Sequence, residues 1–160
     1  MPEGTADFGS DTAEFTLAGR APVVTHGDLA VVGGLKAVQR LVELITQAAV
    51  EVGCSSRDVF QARLAIEEAL ANAVKHGNRN DSDKPVYVTY DVSEERMVVT
   101  VRDEGRGFDF RSLPDPRSGA NLERPGGRGV LLINSFVDSV KYNDIGNSVT
   151  LTKLWTPDES

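Results

Sequence analysis

The sequence predicts an α+β fold: a two-layer sandwich with helices on one face of a mostly antiparallel sheet. Three observations carry that expectation. Two consecutive segments near the start repeat apolar residues with the helical period, and two later segments alternate with the period of a strand. A second alternating pair closes the chain after a long Gly-, Pro- and Arg-rich stretch, and such an order of elements reads as helices segregated to one side of a sheet.

Residues 1–12 are rich in Gly, Ser, Thr and acids and read as a disordered tail. The domain is expected over 13–157. Glu14–Leu17 alternates as a short strand, and Val23–Val32 is ambiguous between strand and loop. Leu35, Val38, Leu41, Val42, Ile45, Ala49 and Val52 recur at three- and four-residue steps, which predicts a helix from Leu35 to Val52 stopped at Gly53. Ser55 or Ser56 caps a second helix, whose apolar residues Val59, Phe60, Leu64, Ile66, Leu70, Ala73 and Val74 carry it to His76. Strands are predicted at Val86–Val92 and Arg96–Arg102 around Ser93-Glu94-Glu95. A loop from Glu104 to Gly127 comes next, long enough to be a functional lid. A short helix, Val130–Phe136, and strands Asp138–Tyr142 and Ser148–Trp155 complete the domain.

Composition narrows the function. The 160 residues hold 17 basic and 24 acidic side chains, for a net charge of −7, with a pI near 4.8. One domain is expected at that length. Such an acidic chain has no field drawing it to nucleic acid or anionic lipid. The single cysteine, Cys54, allows neither an internal disulfide nor a cysteine-based zinc site. No basic residue precedes Arg20 and no apolar run stands at the N-terminus, so neither a signal peptide nor a membrane anchor is expected, and the expected compartment is the cytoplasm.

Three segments carry chemistry. In Glu67-Glu68-Ala69-Leu70-Ala71-Asn72-Ala73-Val74-Lys75-His76-Gly77-Asn78, Glu68 and Asn72 lie one turn apart on one helix face. A carboxylate there can take a proton, and an amide oxygen can ligate a hard cation such as Mg²⁺. By itself this is also how a solvated helix edge looks. In Asp103-Glu104-Gly105-Arg106-Gly107-Phe108-Asp109, an aspartate at a strand end can accept from an exocyclic amine, and two glycines admit close backbone approach. In Gly126-Gly127-Arg128-Gly129, glycines open an apolar helix whose free N–H groups suit phosphate oxygens. The lid is locally basic: Arg102, Arg106, Arg111, Arg117, Arg124 and Arg128 stand against Asp103, Glu104, Asp109, Asp115 and Glu123. That suits closure over a triphosphate of charge about −4. His76 and Lys75 read as helix-end cations.

Together, in this order, the three segments resemble the ATP-binding fold shared by gyrase, the Hsp-type chaperone ATPases, histidine kinases and the MutL repair proteins. The match covers about residues 35–155. Within that superfamily the compact chain looks like the anti-sigma factor serine kinases of bacterial partner-switching systems, through Ile66-Glu67-Glu68-Ala69, Asn72 to Gly77, the Asp103–Asp109 loop and Leu122-Glu123-Arg124. The resemblance implies a Mg-ATP-dependent protein serine/threonine kinase. Its expected partners are an anti-anti-sigma antagonist as substrate and a sigma factor or similar regulator. It also suggests a homodimer. It implies Glu68 as catalytic base, Asn72 as the Mg²⁺ ligand, Asp103 as adenine acceptor, and Gly105 and Gly107 as the pocket floor. Gly127 and Gly129 would meet the phosphates, and Arg124 would contact phosphate or partner from a lid at 108–126. Ser148 stands where the family often places a hydroxyl behind the adenine. Two features depart from the pattern: an extra glycine before Gly127 and the basic Arg128. The alternatives are a non-catalytic ATP-gated binding module and an ATP-binding domain related to histidine kinases.

Overall fold

A computed structural model describes residues 25–107 and 133–157. The tail, the strand at Glu14–Leu17, the lid at 108–126, Arg124, Gly127, Gly129 and the start of the short helix lie outside the described residues.

The ambiguous stretch before the first helix forms strand β1, His26–Val31, because it pairs along its whole length with β2, Val86–Val92. Helix α1 (Gly34–Glu51) and helix α2 (Ser56–Asn72) occupy the two segments of helical period. The Ser55 side chain accepts from the Asp58 N–H and caps α2. Strands β3 (Arg96–Arg102), β4 (Ser139–Tyr142) and β5 (Ser148–Leu154) complete a five-stranded sheet of order β1-β2-β3-β5-β4. Every pairing is antiparallel. Residues 133–136 are helical, and the side chain of Ile133 is buried.

Alternation assigns the sheet's two faces. Val86, Val88, Tyr90 and Val92 of β2, Met97, Val99 and Val101 of β3, and Val149 and Leu151 of β5 are buried against the helices. Thr89, Thr100 and Thr150 share one cross-strand row on the other face, where the Thr100 and Thr150 hydroxyls lie 2.8 Å apart. The helices supply Val38, Leu41, Val42 and Ile45 from α1 and Ala62, Ala65, Ile66, Ala69 and Leu70 from α2. Truncating a fully buried Ile45 or Ile66 to alanine would cost about 2–5 kcal/mol.

Two helix expectations change. Phe60 is 58% exposed, because it stands two positions from Ala62 and so points to nearly the opposite side of α2. The α-helical pattern stops at Asn72, and residues Ala73–Gly77 form a π turn. That turn is where the site begins.

Candidate functional site

Helix α2 brings Glu68 and Asn72 to its last turns, on the edge of its buried stripe, where both are half-buried. No hydrogen bond or ion pair joins either side chain to another described residue. The π turn then widens the backbone, with the Asn78 N–H donating to the Ala73 carbonyl over five residues at 2.8 Å. Single π turns recur in helices at functional sites, because the extra residue re-aims the side chains beyond it. Here it leaves Lys75 and His76 exposed, as expected of helix-end cations, and turns Gly77 and Asn78 inward.

Gly77 meets Asp103. A Cβ on Gly77 would collide with the Asp103 carboxylate, and one on Gly105 would collide with the Gly77 carbonyl. Glycine is therefore required at both positions by the close approach of two loops. Gly107 has φ +80° and lies against the Ile145 carbonyl, so the turn at its far side is also fitted to a missing side chain. Gly77 and Gly105 form a cradle around one carboxylate at the end of β3.

The cradle is held by two asparagines. Asn78 is 1% exposed; its Oδ1 accepts from the Glu104 N–H at 2.8 Å, and its Nδ2 donates to the Pro85 carbonyl at 3.0 Å. Asn147 donates from Nδ2 to the carbonyls of Asp103 and Gly105, and its own carbonyl accepts from the Asp103 N–H at 2.9 Å. Within the loop, Asp103 Oδ1 accepts from the Gly105 N–H at 2.7 Å. Burial pushes the Asp103 carboxyl above the usual range, against the opposing pull of the Gly105 N–H and the Arg102 guanidinium. Outside the cradle, the Arg102 guanidinium lies 3.9 Å from the Tyr87 ring centroid, and the Tyr87 hydroxyl donates to Glu104.

The structure thus brings Glu68, Asn72, Asp103, Gly105 and Gly107 to two adjoining stretches, the C-terminal end of α2 and the end of β3. Ser148 opens β5, the strand that pairs with β3. It pairs with Arg102 on the sheet face away from the helices, and the neighbouring Asn147 faces Asp103. That much is legible in the sequence, since Val149 and Leu151 mark the inner face and Asn147 shares their parity. Gly77 and Asn78 stand in the helix-end motif, but nothing in its spacing assigns them a partner 26 residues on.

Chemically, the cradle offers a carboxylate at a glycine-lined surface, which suits an amine-bearing ring. The Asn72 amide oxygen and Glu68 carboxylate, engaged by no described residue, offer hard oxygen donors beside it. Among the described residues no group of three His, Cys, Asp or Glu could hold a metal unaided. That donor set fits Mg²⁺, which protein sites usually bind through one or two side chains together with substrate phosphates. No helix among the described residues is long and apolar enough to cross a membrane.

The model of the histidine kinase-like ATPase domain matches residues 34–153 of the chain. The serine-protein kinase RsbW of Listeria monocytogenes serovar 1/2a is 34% identical over 108 residues, 63% of this chain and 69% of that protein. RsbW of Staphylococcus aureus strain MSSA476 is 28% identical over 109 residues, with the same coverage of 63% and 69%. A crystal structure of the RsbU and RsbW domains of a Mycobacterium tuberculosis protein superposes with a TM-score of 0.56 at 20% identity. It covers 86% of this chain and 34% of the other, and it speaks to the fold alone.

Proposed function

The chain belongs to the histidine kinase-like ATPase domain family, and from that premise we propose that it is an ATP-dependent protein serine/threonine kinase of a bacterial partner-switching system. Its substrate is an anti-anti-sigma antagonist protein, and it sequesters a sigma factor or similar regulator. The observation that carries the reading is the pairing of a carboxylate cradle at Gly77, Asp103 and Gly105 with unengaged Glu68 and Asn72 one turn before it. The relatives named serine-protein kinase RsbW support the acceptor class.

In this reading Asp103 accepts from the adenine amine, with Gly105 and Gly107 as the pocket floor. Asn72 holds Mg²⁺, which supplies charge neutralisation on the phosphates. Glu68 takes the proton of the acceptor hydroxyl. Phosphoryl transfer asks an enzyme chiefly to position reactants and neutralise charge, so a small set of groups suffices. Arg124, Gly127 and Gly129 are assigned to the phosphates, in a lid over 108–126. A cytoplasmic homodimer completes the proposal.

The test is incubation with γ-labelled ATP, Mg²⁺ and a candidate antagonist protein, and then identification of the modified residue. Label on a serine or threonine of the antagonist supports the kinase. Tight ATP binding with no label on any antagonist and no hydrolysis would favour the ATP-gated binding module. Label on a histidine would favour the relation to histidine kinases.

A further inference from the structure

The geometry points to Asn78 as the positioning residue that sets base selectivity, an inference that rests on the nucleotide-binding reading above. Asn78 is the one side chain among the described residues that hydrogen-bonds both the segment leading into β2 and the backbone of the loop carrying Asp103. It does so from a fully buried position directly after the π turn.

Each bond fixes a different part of the site. The Nδ2 bond to the Pro85 carbonyl anchors the asparagine to the sheet. The Oδ1 bond holds the Glu104 N–H, and so fixes the peptide just after Asp103. The Asp103 carboxylate is already turned onto Gly105 through Oδ1, and it is pressed against Gly77, the residue before Asn78. Asn78 therefore sets the distance between the helix end and the carboxylate. A hydrogen bond to a base amine is sensitive to such a displacement, because it weakens steeply when its geometry is lost. The side-chain bonds of Asn78 go to protein backbone, at Lys84, Pro85 and Glu104.

The experiment compares calorimetric titrations of the full chain with ATP and with purine riboside triphosphate, which lacks the 6-amino group. The unaltered chain is expected to prefer ATP by about tenfold or more, the scale of a hydrogen bond to a charged group. In Asn78→Ala that preference should shrink to about twofold, with the affinity for the analogue changed little. Asn78→Asp should restore most of it, since a buried carboxyl takes up a proton and can then both donate to Pro85 and accept from Glu104. If Asn78→Ala does not fold, Asn78→Ser, whose hydroxyl is too short to make both bonds, is read the same way. A variant that keeps the full preference, or that loses both nucleotides equally, overturns the inference. Absence of ATP binding by the unaltered chain would overturn the nucleotide reading and this inference with it.

Discussion

At its N-terminal end α2 carries Asp58, 1% exposed, with both carboxylate oxygens engaged. Oδ2 accepts from the Thr156 N–H at 2.7 Å, Oδ1 accepts from the Thr156 hydroxyl at 3.0 Å, and the Lys153 ammonium lies 3.9 Å away. Lys153, 5% exposed, donates in turn to Gln61 Oε1 and to the Phe136 carbonyl. At its C-terminal end the same helix carries Glu68 and Asn72, half-buried and engaged by no described side chain or backbone group. One end is a saturated polar cluster that ties the helix to the last strand and the segment after it. The other keeps its donors and acceptors open. Half-buried polar groups left open among the described residues, beside a glycine cradle, are the candidates for meeting a ligand.

The largest expected effect lies at the open end. Glu68→Gln should lower phosphorylation of the antagonist by about 10²–10⁴, the scale of general-base catalysis. ATP affinity should hardly change, since a base acts in the transition state. A wild-type rate of label transfer would remove Glu68 from the chemistry.

At the saturated end the readout changes from rate to stability. Asp58→Ala leaves Lys153 without its carboxylate and the Thr156 donors unpaired, and should cost about 3–5 kcal/mol in urea unfolding monitored by Trp155 fluorescence. The folded fraction should bind ATP as before. A loss of nucleotide affinity in that folded fraction would break the separation of the two ends.

Asp103 joins the two kinds of cost in one residue. Asp103→Asn should weaken ATP binding by about 1–3 kcal/mol in calorimetry, because the amine then meets a poorer acceptor. Its effect on stability has the opposite sign. Burial raises the carboxyl's pKa in the folded chain, so folding favours the protonated form, and that stabilisation is lost as pH rises through the raised pKa. The asparagine variant should therefore melt above the native chain at neutral pH, with the gap closing on acidification. ATP affinity of the native chain should fall over that same acid range, and a pH-independent gap in melting temperature would contradict the assignment.

The smallest effect concerns Cys54, beside the saturated end. Burial, with the Asp58 charge, pushes its thiol up to about 11, against the pull of Lys153. Alkylation by iodoacetamide at pH 8 should be slow and should quicken as pH rises, since the thiolate is the nucleophile. Mass spectrometry showing modification at the rate of a free thiol would mean that this end is looser than its hydrogen bonds imply.

Legibility differs between the two ends for a physical reason. Glu68, Asn72, Asp103, Gly105 and Gly107 are readable because each belongs to a short run whose spacing places it on a helix face or at a strand end. Lys153 is not, since a lysine on the inner face of β5 breaks the alternation that would have marked it as buried. Phe60 fails in the other direction: hydrophobicity alone puts it with the core, and its position off the stripe puts it in solvent.

The sequence by itself determined the order of elements from the first helix onward, a mostly antiparallel sheet and the two stretches that hold the candidate site. These depend on periods of 2 and 3.6 residues and on caps such as Ser55, which act between near neighbours. Only the tertiary structure decided that Gly77 lies on Asp103, that Asn78 holds Glu104, and that Asn147 holds the backbone of Asp103 and Gly105. Those contacts span 26 to 44 residues. They are fixed by the register of β5 on β3 and by one extra residue in the turn that ends α2, and a one-residue change in either would point a different side chain at the site.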